Sequence, residues 1–450
     1  MTRRMRGWQT VAVLGIAGIT LAACGGGDSE PEDTAAAGGD DTAAAEPTME
    51  DTMAAEPSTE ASGEATGSGD GTLTIGTLLP ETGSLAFLGP PEFAGVELAV
   101  QEINEAGGVL GNDVVKIDGD SGDTTTDIAT QTVTRLLGEG VDAIIGAASS
   151  GVSFTVIDQI TGAGVVHFSP ANTSPDFTDY DDNGLYFRTA PSDVLQGRVL
   201  GDLLVQDGCL DVAAIVLDDP YGTGLAENFT ASLDAGGGTL VTEPILYPEG
   251  TNNFSAQVTQ VADAGAECVV LIGFAETVQI VNEMVAQGLP PTEVPTYFVD
   301  GNLADYSSDS DTNLPAGTLE GNKGTLPGAE APEEFQNRLL EVDSSLTDFS
   351  YAAESYDAAV VIALAAVAAG SDAGTEIGAA IPDVTREGTE CTSFAECVEL
   401  LDGGEDIDYN GVSGPIEMSD QGDPTEATIG IFEYDAENKI TRVDSLSGTI

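Results

Sequence analysis

Two short segments place hydroxyl and carboxylate side chains where strands of a parallel sheet are predicted to end. Ser149-Ser150-Gly151 follows a predicted strand at residues 143–146 and opens a predicted helix. At such a helix start, serine hydroxyls and free backbone N–H groups converge at the positive end of the helix dipole, which suits a carboxylate. Asp300 follows a predicted strand at residues 296–299, so it presents a carboxylate at the end of a second strand.

These residues also have ordinary structural explanations. Serine and threonine are common N-caps, so Ser149 and Thr173 could simply cap helices. Aspartate at a strand end is often a turn former, which leaves a second interpretation for Asp300. For Ser150, the position at a helix start favours a role in binding over a structural one.

Catalytic, calcium and nucleotide-binding sites each need residues that the sequence does not supply. His167 is the only histidine and lies in an apolar run, where we predict a core residue, because no catalytic triad or metal cluster can be built around it. Residues 179–184 open like an EF-hand loop, but Ala190 occupies the position that needs a bidentate glutamate. The sequence has no Gly-Lys-Ser/Thr loop for nucleotide phosphates. We therefore predict no enzyme, no metal site and no cofactor.

Alternating strands and helices must position the candidate residues. In the first half, strands are predicted at residues 73–79, 114–117, 143–146 and 165–168, with helices at about 93–103, 127–137 and 152–161. A second unit starts near residue 191, with strands at 213–217, 268–272 and 296–299 and helices at 224–235 and 277–287. The pattern resumes with residues 335–340, an alanine-rich helix at about 351–369, and C-terminal strands at 429–434 and 440–443.

This alternation predicts an α/β fold of two doubly wound lobes joined by a hinge, in which ligands meet the loops at the carboxyl ends of strands. We expect the N-terminal lobe to comprise residues 72–190 plus about 323–410. The C-terminal lobe should comprise residues 191–322 plus about 411–450.

The N-terminus carries the features of an export signal. Three arginines within the first six residues precede an apolar run at residues 11–21, which is too short to span a membrane. The run ends in Leu-Ala-Ala before Cys24, a pattern that resembles a bacterial lipobox. Residues 1–23 are therefore predicted to be a lipoprotein signal peptide, and Cys24 the lipidated residue that anchors the protein to the outer face of the cell membrane. An ordinary secretory signal is the alternative, and the export route stays open.

The acidic excess of the chain restricts the classes of partner that it can bind. Residues 24–71 contain thirteen acidic residues and no lysine or arginine, so we predict a disordered acidic tether. The whole chain has 12 basic and 77 acidic residues, a formal net charge of −65. Nucleic acid is excluded as a partner because a phosphate backbone needs a basic footprint. With only three lysines in the chain, we hypothesise adaptation to a saline habitat, where salt screens self-repulsion.

Four cysteines remain beyond Cys24, and an even number in an exported protein favours disulfide bonds. Cys391 and Cys397 lie six residues apart in a loop-like segment and form a plausible local bridge. Cys209 and Cys268 each precede a predicted strand, so neighbouring parallel strands could bring them together. Their spacing fits no zinc pattern.

Several motifs occur in an order that resembles a known family. The first four are Gly-Ser-Leu-Ala-Phe-Leu-Gly at residues 83–89, Glu-Ile-Asn-Glu-Ala-Gly-Gly at 102–108, Ile-Gly-Ala-Ala-Ser-Ser-Gly at 145–151 and Phe-Ser-Pro-Ala-Asn-Thr-Ser-Pro at 168–175. Phe-Arg-Thr-Ala-Pro-Ser-Asp at 187–193, Tyr-Gly-Thr-Gly at 221–224 and Asp-Gly at 300–301 follow. From residue 73 onward the sequence resembles the branched-chain amino-acid-binding proteins, the type I periplasmic binding proteins of ABC importers.

The resemblance implies roles for individual residues. Ser150 and Thr173 would grip the carboxylate of an amino-acid ligand, with Ser149 part of the same cradle, and the Ala171 carbonyl and Asp300 would hold its ammonium. Tyr221 resembles the aromatic residue that covers the ligand from the second lobe. Candidates for the apolar wall are Leu88, Phe274 and Tyr351.

The function implied is that of a monomeric extracytoplasmic solute-binding protein. It would capture a small amino acid, branched-chain or similar, by lobe closure and deliver it to ABC permease subunits. The alternative is a receptor or sensor for a small amide, urea or another polar solute. The absence of a second membrane span or signalling helix from the sequence favours transport.

Overall fold

The folded chain begins with residues that belong to the predicted tether. The computed structural model describes residues 69–450 except 309, 311 and 330, so the predicted signal peptide, Cys24 and most of the tether lie outside the described residues. The backbone N–H groups of Asp70, Gly71 and Thr72 donate to Oδ2 of Asp372 at 2.9, 2.6 and 2.8 Å. The tether boundary after residue 71 is therefore wrong by two residues, since Asp70 and Gly71 are bound to the first lobe.

The first lobe is built on a five-stranded, fully parallel sheet. Its strands are β1 (Thr74–Leu78), β2 (Val115–Ile117), β3 (Ala143–Gly146), β4 (Val166–Ser169) and β5 (Tyr186–Arg188), in the spatial order β2-β1-β3-β4-β5. Its helices are α1 (Gly89–Glu105), α2 (Ile128–Glu139) and α3 (Ser150–Thr161). Because the order reverses at β1, the loops after β1 and β3 diverge at the carboxyl end of the sheet and leave a crevice for a ligand.

The second lobe repeats this architecture on a larger mixed sheet. Its elements are α4 (Asp193–Asp207), β6 (Asp211–Leu217), α5 (Pro220–Ala235), β7 (Thr239–Leu240), β8 (Ile245–Tyr247), α6 (Ser255–Ala264), β9 (Cys268–Ile272), α7 (Thr277–Ala286), β10 (Thr296–Phe298) and β11 (Lys323–Pro327). These strands pair in parallel, and β7 and β8 both pair with β6. The sheet core is almost continuously apolar, as expected for strands buried on both faces.

The chain then returns to the first lobe and finally crosses back. The returning elements are α8 (Glu333–Val342), α9 (Ala352–Ala369), α10 (Gly374–Ala380), β12 (Thr389–Cys391), α11 (Phe394–Asp402) and β13 (Ile407–Tyr409). The last two strands are β14 (Glu426–Tyr434), which pairs antiparallel with β11, and β15 (Ile440–Thr449), which pairs antiparallel with β14 at the edge of the larger sheet. The fold class of two doubly wound α/β lobes is confirmed.

Two of the predicted lobe boundaries need correction. The strand β11 pairs with β10 and β14, so the second lobe extends to Pro327 and does not end near residue 322. Ile416 and Met418 are buried in the core of the first lobe, so the chain leaves that lobe near residue 425 and not near 410. Both corrections follow from tertiary pairing that the local pattern does not encode.

Two disulfide bonds and one long apolar helix complete the fold. The structure contains the bonds Cys209–Cys268, beside the paired strands β6 and β9, and Cys391–Cys397, between β12 and α11. Among the described residues, only helix α9 is long and apolar enough to cross a membrane by composition, and 83% of its residues are buried. It packs against α1 as a core helix of the first lobe.

Candidate ligand-binding site

A narrow cavity of about 10 Å³ lies between the two lobes. It is lined by Leu85, Leu88, Ala148, Ser149, Ser150, Ala171, Thr173, Tyr221, Phe274, Asp300, Gly301 and Tyr351. All twelve residues are buried. A cavity needs roughly 10–15 Å³ of space to hold one water molecule. The two lobes are therefore closed tightly here, and a solute could enter only if the lining residues moved apart.

One end of the cavity is the start of helix α3. Gly146 ends β3 with a positive φ of 119°, and a Cβ there would lie 2.0 Å from the carbonyl oxygen of Leu78. The chain turns into the helix through Ser149, whose hydroxyl caps it by accepting a hydrogen bond from the Val152 N–H at 3.3 Å. The Ser150 hydroxyl lies beside the positive helix end, where a ligand carboxylate would be stabilised.

The loop after β4 forms the neighbouring wall, and the side chain of Asn172 ties it to the loop after β3. Its amide donates to the carbonyl oxygens of Ala147 and Ala148 at 3.0 and 2.9 Å. The Tyr186 hydroxyl donates to Oδ1 of Asn172 at 2.9 Å. Because Asn172 is fully buried and paired at both ends of its amide, it fixes the loop that carries Thr173.

Arg188 also fixes the loop after β4. Its Nη1 donates to the carbonyl oxygens of Asn172 and Ser174 at 3.3 and 2.8 Å, on either side of Thr173. Its Nε donates to Oδ1 of Asp423 at 2.6 Å in a buried ion pair. The pair therefore fixes the position of the Thr173 backbone although neither charged side chain lines the cavity.

Asp300 is the charged group that lines the cavity, and it comes from the second lobe. Its Oδ1 accepts hydrogen bonds from Nε2 of Gln196 at 3.0 Å and from the Tyr221 hydroxyl at 2.8 Å. Its Oδ2 accepts from the Tyr351 hydroxyl at 2.9 Å. Burial raises the pKa of Asp300, while these three donors act in the opposite direction by stabilising the charged form.

Tyr351 reaches Asp300 across the cleft from the start of α9. It adopts φ +59°, a left-handed conformation that non-glycine residues seldom take. Strain of this kind occurs most often at ligand sites and switch regions. From this position the hydroxyl of Tyr351 donates to Asp300 of the second lobe.

The remaining surface of the cavity is apolar. Tyr221 and Phe274 stack from the second lobe, with ring centroids 5.6 Å apart and an interplanar angle of 10°. Leu85 and Leu88 face them from the first lobe, with Ala148 beside the helix start. No lysine or arginine lines this cavity, so a bound anion would be held by neutral donors.

The structure brings all nine predicted ligand residues to this one cavity, which they share with Leu85, Ala148 and Gly301. Gln196, which holds Asp300, was missed because no binding motif includes it. His167 lies buried in β4 with its ring edge-on to Tyr186, and burial lowers its pKa to about 4, so it is neutral. Within the described part of the chain, no three His, Cys, Asp or Glu side chains are grouped to hold a metal ion.

Two doubly wound lobes that enclose a small polar-ended cavity define a two-lobed solute-binding protein. The sequence matches the periplasmic binding protein family over residues 72–438. The chain belongs to this family, which confirms the resemblance carried by its motifs.

Curated relatives include Leu/Ile/Val-binding protein homolog 3 of Brucella melitensis, which is 35% identical over 206 residues, covering 45% of this chain and 54% of that protein. The chain thus spans about half the length of this relative. Homolog 1 of Brucella suis is 29% identical over 335 residues, covering 70% of this chain and 84% of that protein.

Solved structures show the same fold. The branched-chain amino acid transporter substrate-binding protein LivJ of Streptococcus pneumoniae, in complex with isoleucine, superposes with a TM-score of 0.67 at 21% identity, covering 84% of this chain and all of LivJ. The leucine-binding protein LivK of Thermotoga maritima superposes with a TM-score of 0.67 at 19% identity, covering 83% of this chain and 99% of LivK.

Proposed function

We propose that this protein is the extracytoplasmic solute-binding component of an ABC importer and that it binds a small apolar amino acid. The observation that carries the proposal is the enclosed cavity, where hydroxyl donors of one lobe meet the Asp300 carboxylate of the other. A zwitterion is the ligand class that such opposed ends recognise. Relatives named for binding leucine, isoleucine and valine support the choice of an aliphatic side chain.

The zwitterion would lie with its carboxylate at the start of α3. There the Ser150 and Thr173 hydroxyls would donate to it beside the positive helix end. Its ammonium would face Asp300 and the carbonyl oxygen of Ala171. The ligand side chain would pack against the stacked pair of Tyr221 and Phe274, which line the same cavity.

Capture would work by closure of the lobes. The first lobe supplies the carboxylate cradle and the second supplies Asp300, so neither lobe alone completes the site. A ligand that contacts both lobes stabilises the closed form, which the permease would then recognise. We further propose that the lipid at Cys24 holds the monomeric protein near its permease.

A receptor or sensor role for a small amide or urea is the weaker alternative. Such neutral solutes would leave the charge of Asp300 without a cationic partner in a buried site, which is unfavourable. The relatives named for Leu/Ile/Val binding also favour an amino acid.

Calorimetric titration of the ligand-stripped protein with leucine, isoleucine and valine tests the proposal. Benzoate and urea serve as matched probes that lack an ammonium group. We expect binding of one or more of the amino acids and no binding of benzoate or urea. Tight binding of benzoate without amino-acid binding would contradict the proposed function.

Substitutions of residues that line the cavity test whether the amino acid binds there. Asp300→Asn should cost about 2–5 kcal/mol of binding free energy because a buried ammonium would lose its charged partner. Ser150→Ala and Thr173→Val should each cost about 1.5–3 kcal/mol, the range for hydrogen bonds to a charged group. Asp263→Asn, on an exposed position of α6, is the control and should bind like the wild type.

A further inference from the structure

Glu249 joins the two lobes outside the cavity. It lies in the loop after β8 of the second lobe and is half-buried. Its Oε1 accepts a hydrogen bond from the Ser84 hydroxyl. Its Oε2 accepts from the Thr124 backbone N–H at 3.2 Å and from the Thr124 hydroxyl. One carboxylate therefore receives three donors from two separate loops of the first lobe.

The loop of Ser84 is held at a second point. The backbone N–H of Ala275 in the second lobe donates to the carbonyl oxygen of Ser84 at 3.3 Å. On either side of this contact, Leu85 and Phe274 line the cavity. The contacts of Glu249 thus close the rim beside the apolar wall and exist only while the lobes are together.

We propose that Glu249 is an affinity-determining residue that acts on lobe closure without contacting the ligand. The inference rests on the proposed function, since it concerns closure around the same cavity. Apparent affinity depends on the fraction of the protein that can adopt the binding-competent form. A contact made only by the closed form therefore strengthens the binding of every ligand by the same factor.

Removing the charge of Glu249 has two opposed consequences, and they decide whether a substitution strengthens or weakens ligand binding. Its negative charge is among the groups that raise the pKa values of Asp219 and Glu276 in the same lobe, after the larger effect of burial. Removing the charge would thus relieve repulsion within the second lobe. The carboxylate nevertheless offers two acceptor oxygens where a glutamine offers one, and the three donors from the first lobe use both.

The test uses the full chain with leucine and valine as probes. We expect Glu249→Ala to weaken the binding of both by the same factor, roughly 5- to 30-fold, which is less than the loss for a fully buried hydrogen bond to a charged group because Glu249 is only half-buried. Glu249→Gln should fall between the wild type and Glu249→Ala. Glu227→Ala, on an exposed position of α5, is the matched control and should stay within twofold of the wild type.

Three outcomes would overturn the inference: a Glu249→Ala affinity within twofold of the wild type, a changed ratio of leucine to valine affinity, or tighter binding by Glu249→Gln. If the wild type binds none of leucine, isoleucine and valine, the proposed function fails, and small-angle scattering of the ligand-free proteins then tests the role of Glu249 in closure by itself. A larger radius of gyration for Glu249→Ala than for the wild type and Glu227→Ala supports the role in closure. Equal radii refute it.

Discussion

At the scale of single residues, Asp300 combines two opposed influences. Burial favours its neutral form, while hydrogen bonds from Gln196, Tyr221 and Tyr351 favour the carboxylate. The net direction is a raised pKa. Asp193, buried one helical turn from Gln196, also has a raised pKa, from burial and then from the charge of Asp300. An ammonium ligand would relieve this crowding of negative charge.

We therefore expect the affinity for leucine to depend on pH. Because an ammonium binds the charged form of Asp300, affinity should rise as pH increases through its raised pKa and level off above it. Below that pKa, binding should release a proton as the carboxyl group ionises. Calorimetry at pH 5 and pH 8, in buffers of different ionisation enthalpy, measures both effects.

The variant Asp300→Asn provides the comparison, since its weaker binding should lose most of this pH dependence. Affinity that falls as pH rises from 5 to 8 in the wild type would contradict the assignment of Asp300 to the ammonium.

At the scale of elements, the Arg188–Asp423 pair links β5 to the segment that precedes β14. Removing one partner of a buried ion pair leaves an uncompensated charge. We expect Asp423→Ala to reduce the free energy of unfolding by about 3–5 kcal/mol. Leucine affinity should fall as well, because Arg188 holds the loop of Thr173. Urea denaturation and calorimetry measure the two effects.

A surface pair in the same segment supplies the control. Asp420 pairs with Arg386 at 2.8 Å, and the Asp420 side chain is 79% exposed. Asp420→Ala should cost only about 0–1 kcal/mol and leave leucine affinity unchanged. Equal losses of stability in the two variants would show that burial of the Arg188 pair is not what stabilises this region.

The elements also show how far the sequence could predict the structure. Strands such as β9 and the apolar helix α9 were placed within a residue of their observed ends, because continuous apolar runs and the flanking glycines mark them. Helix α4 was missed, since its buried side chains lie on several faces and blur the helical period. Gly197 and Gly201 lower the helix propensity of α4. They nevertheless permit its close packing on α5, because a Cβ at Gly197 would lie 2.5 Å from the side chain of Asn228 and a Cβ at Gly201 would lie 2.5 Å from that of Ser232.

The residues of the site also divide into those that the sequence could predict and those that it could not. Residues at strand ends and helix starts, such as Ser150 and Asp300, could be found because the topology of a parallel sheet collects them at one edge. Gln196 and Glu249 could not, since their roles depend on contacts over 104 and 125–165 residues of sequence. Such contacts exist only after the lobes have formed and approached each other.

At the scale of the whole molecule, the acidic excess acts on stability. The formal net charge of −65 is distributed through a chain with only 12 basic residues. Self-repulsion on this scale destabilises a compact state, and salt screens it with a Debye length of about 8 Å at physiological ionic strength. We expect the melting temperature to rise by several degrees between low salt and about 1 M sodium chloride.

Differential scanning calorimetry across this salt range measures the effect. Sodium sulfate is a poor substitute, because it strengthens apolar burial in any protein. A melting temperature that stays constant or falls with sodium chloride would remove the support for a saline habitat.

The burial of every residue around the cavity also has a kinetic consequence. A solute held there has no permanent channel to the solvent, so it can leave only after the lobes separate. Its dissociation rate constant therefore cannot exceed the rate constant of opening, however weak its own contacts are. The residence time therefore cannot be shorter than the mean time to one opening, and a transporter that accelerates opening would lower this limit without competing for the ligand.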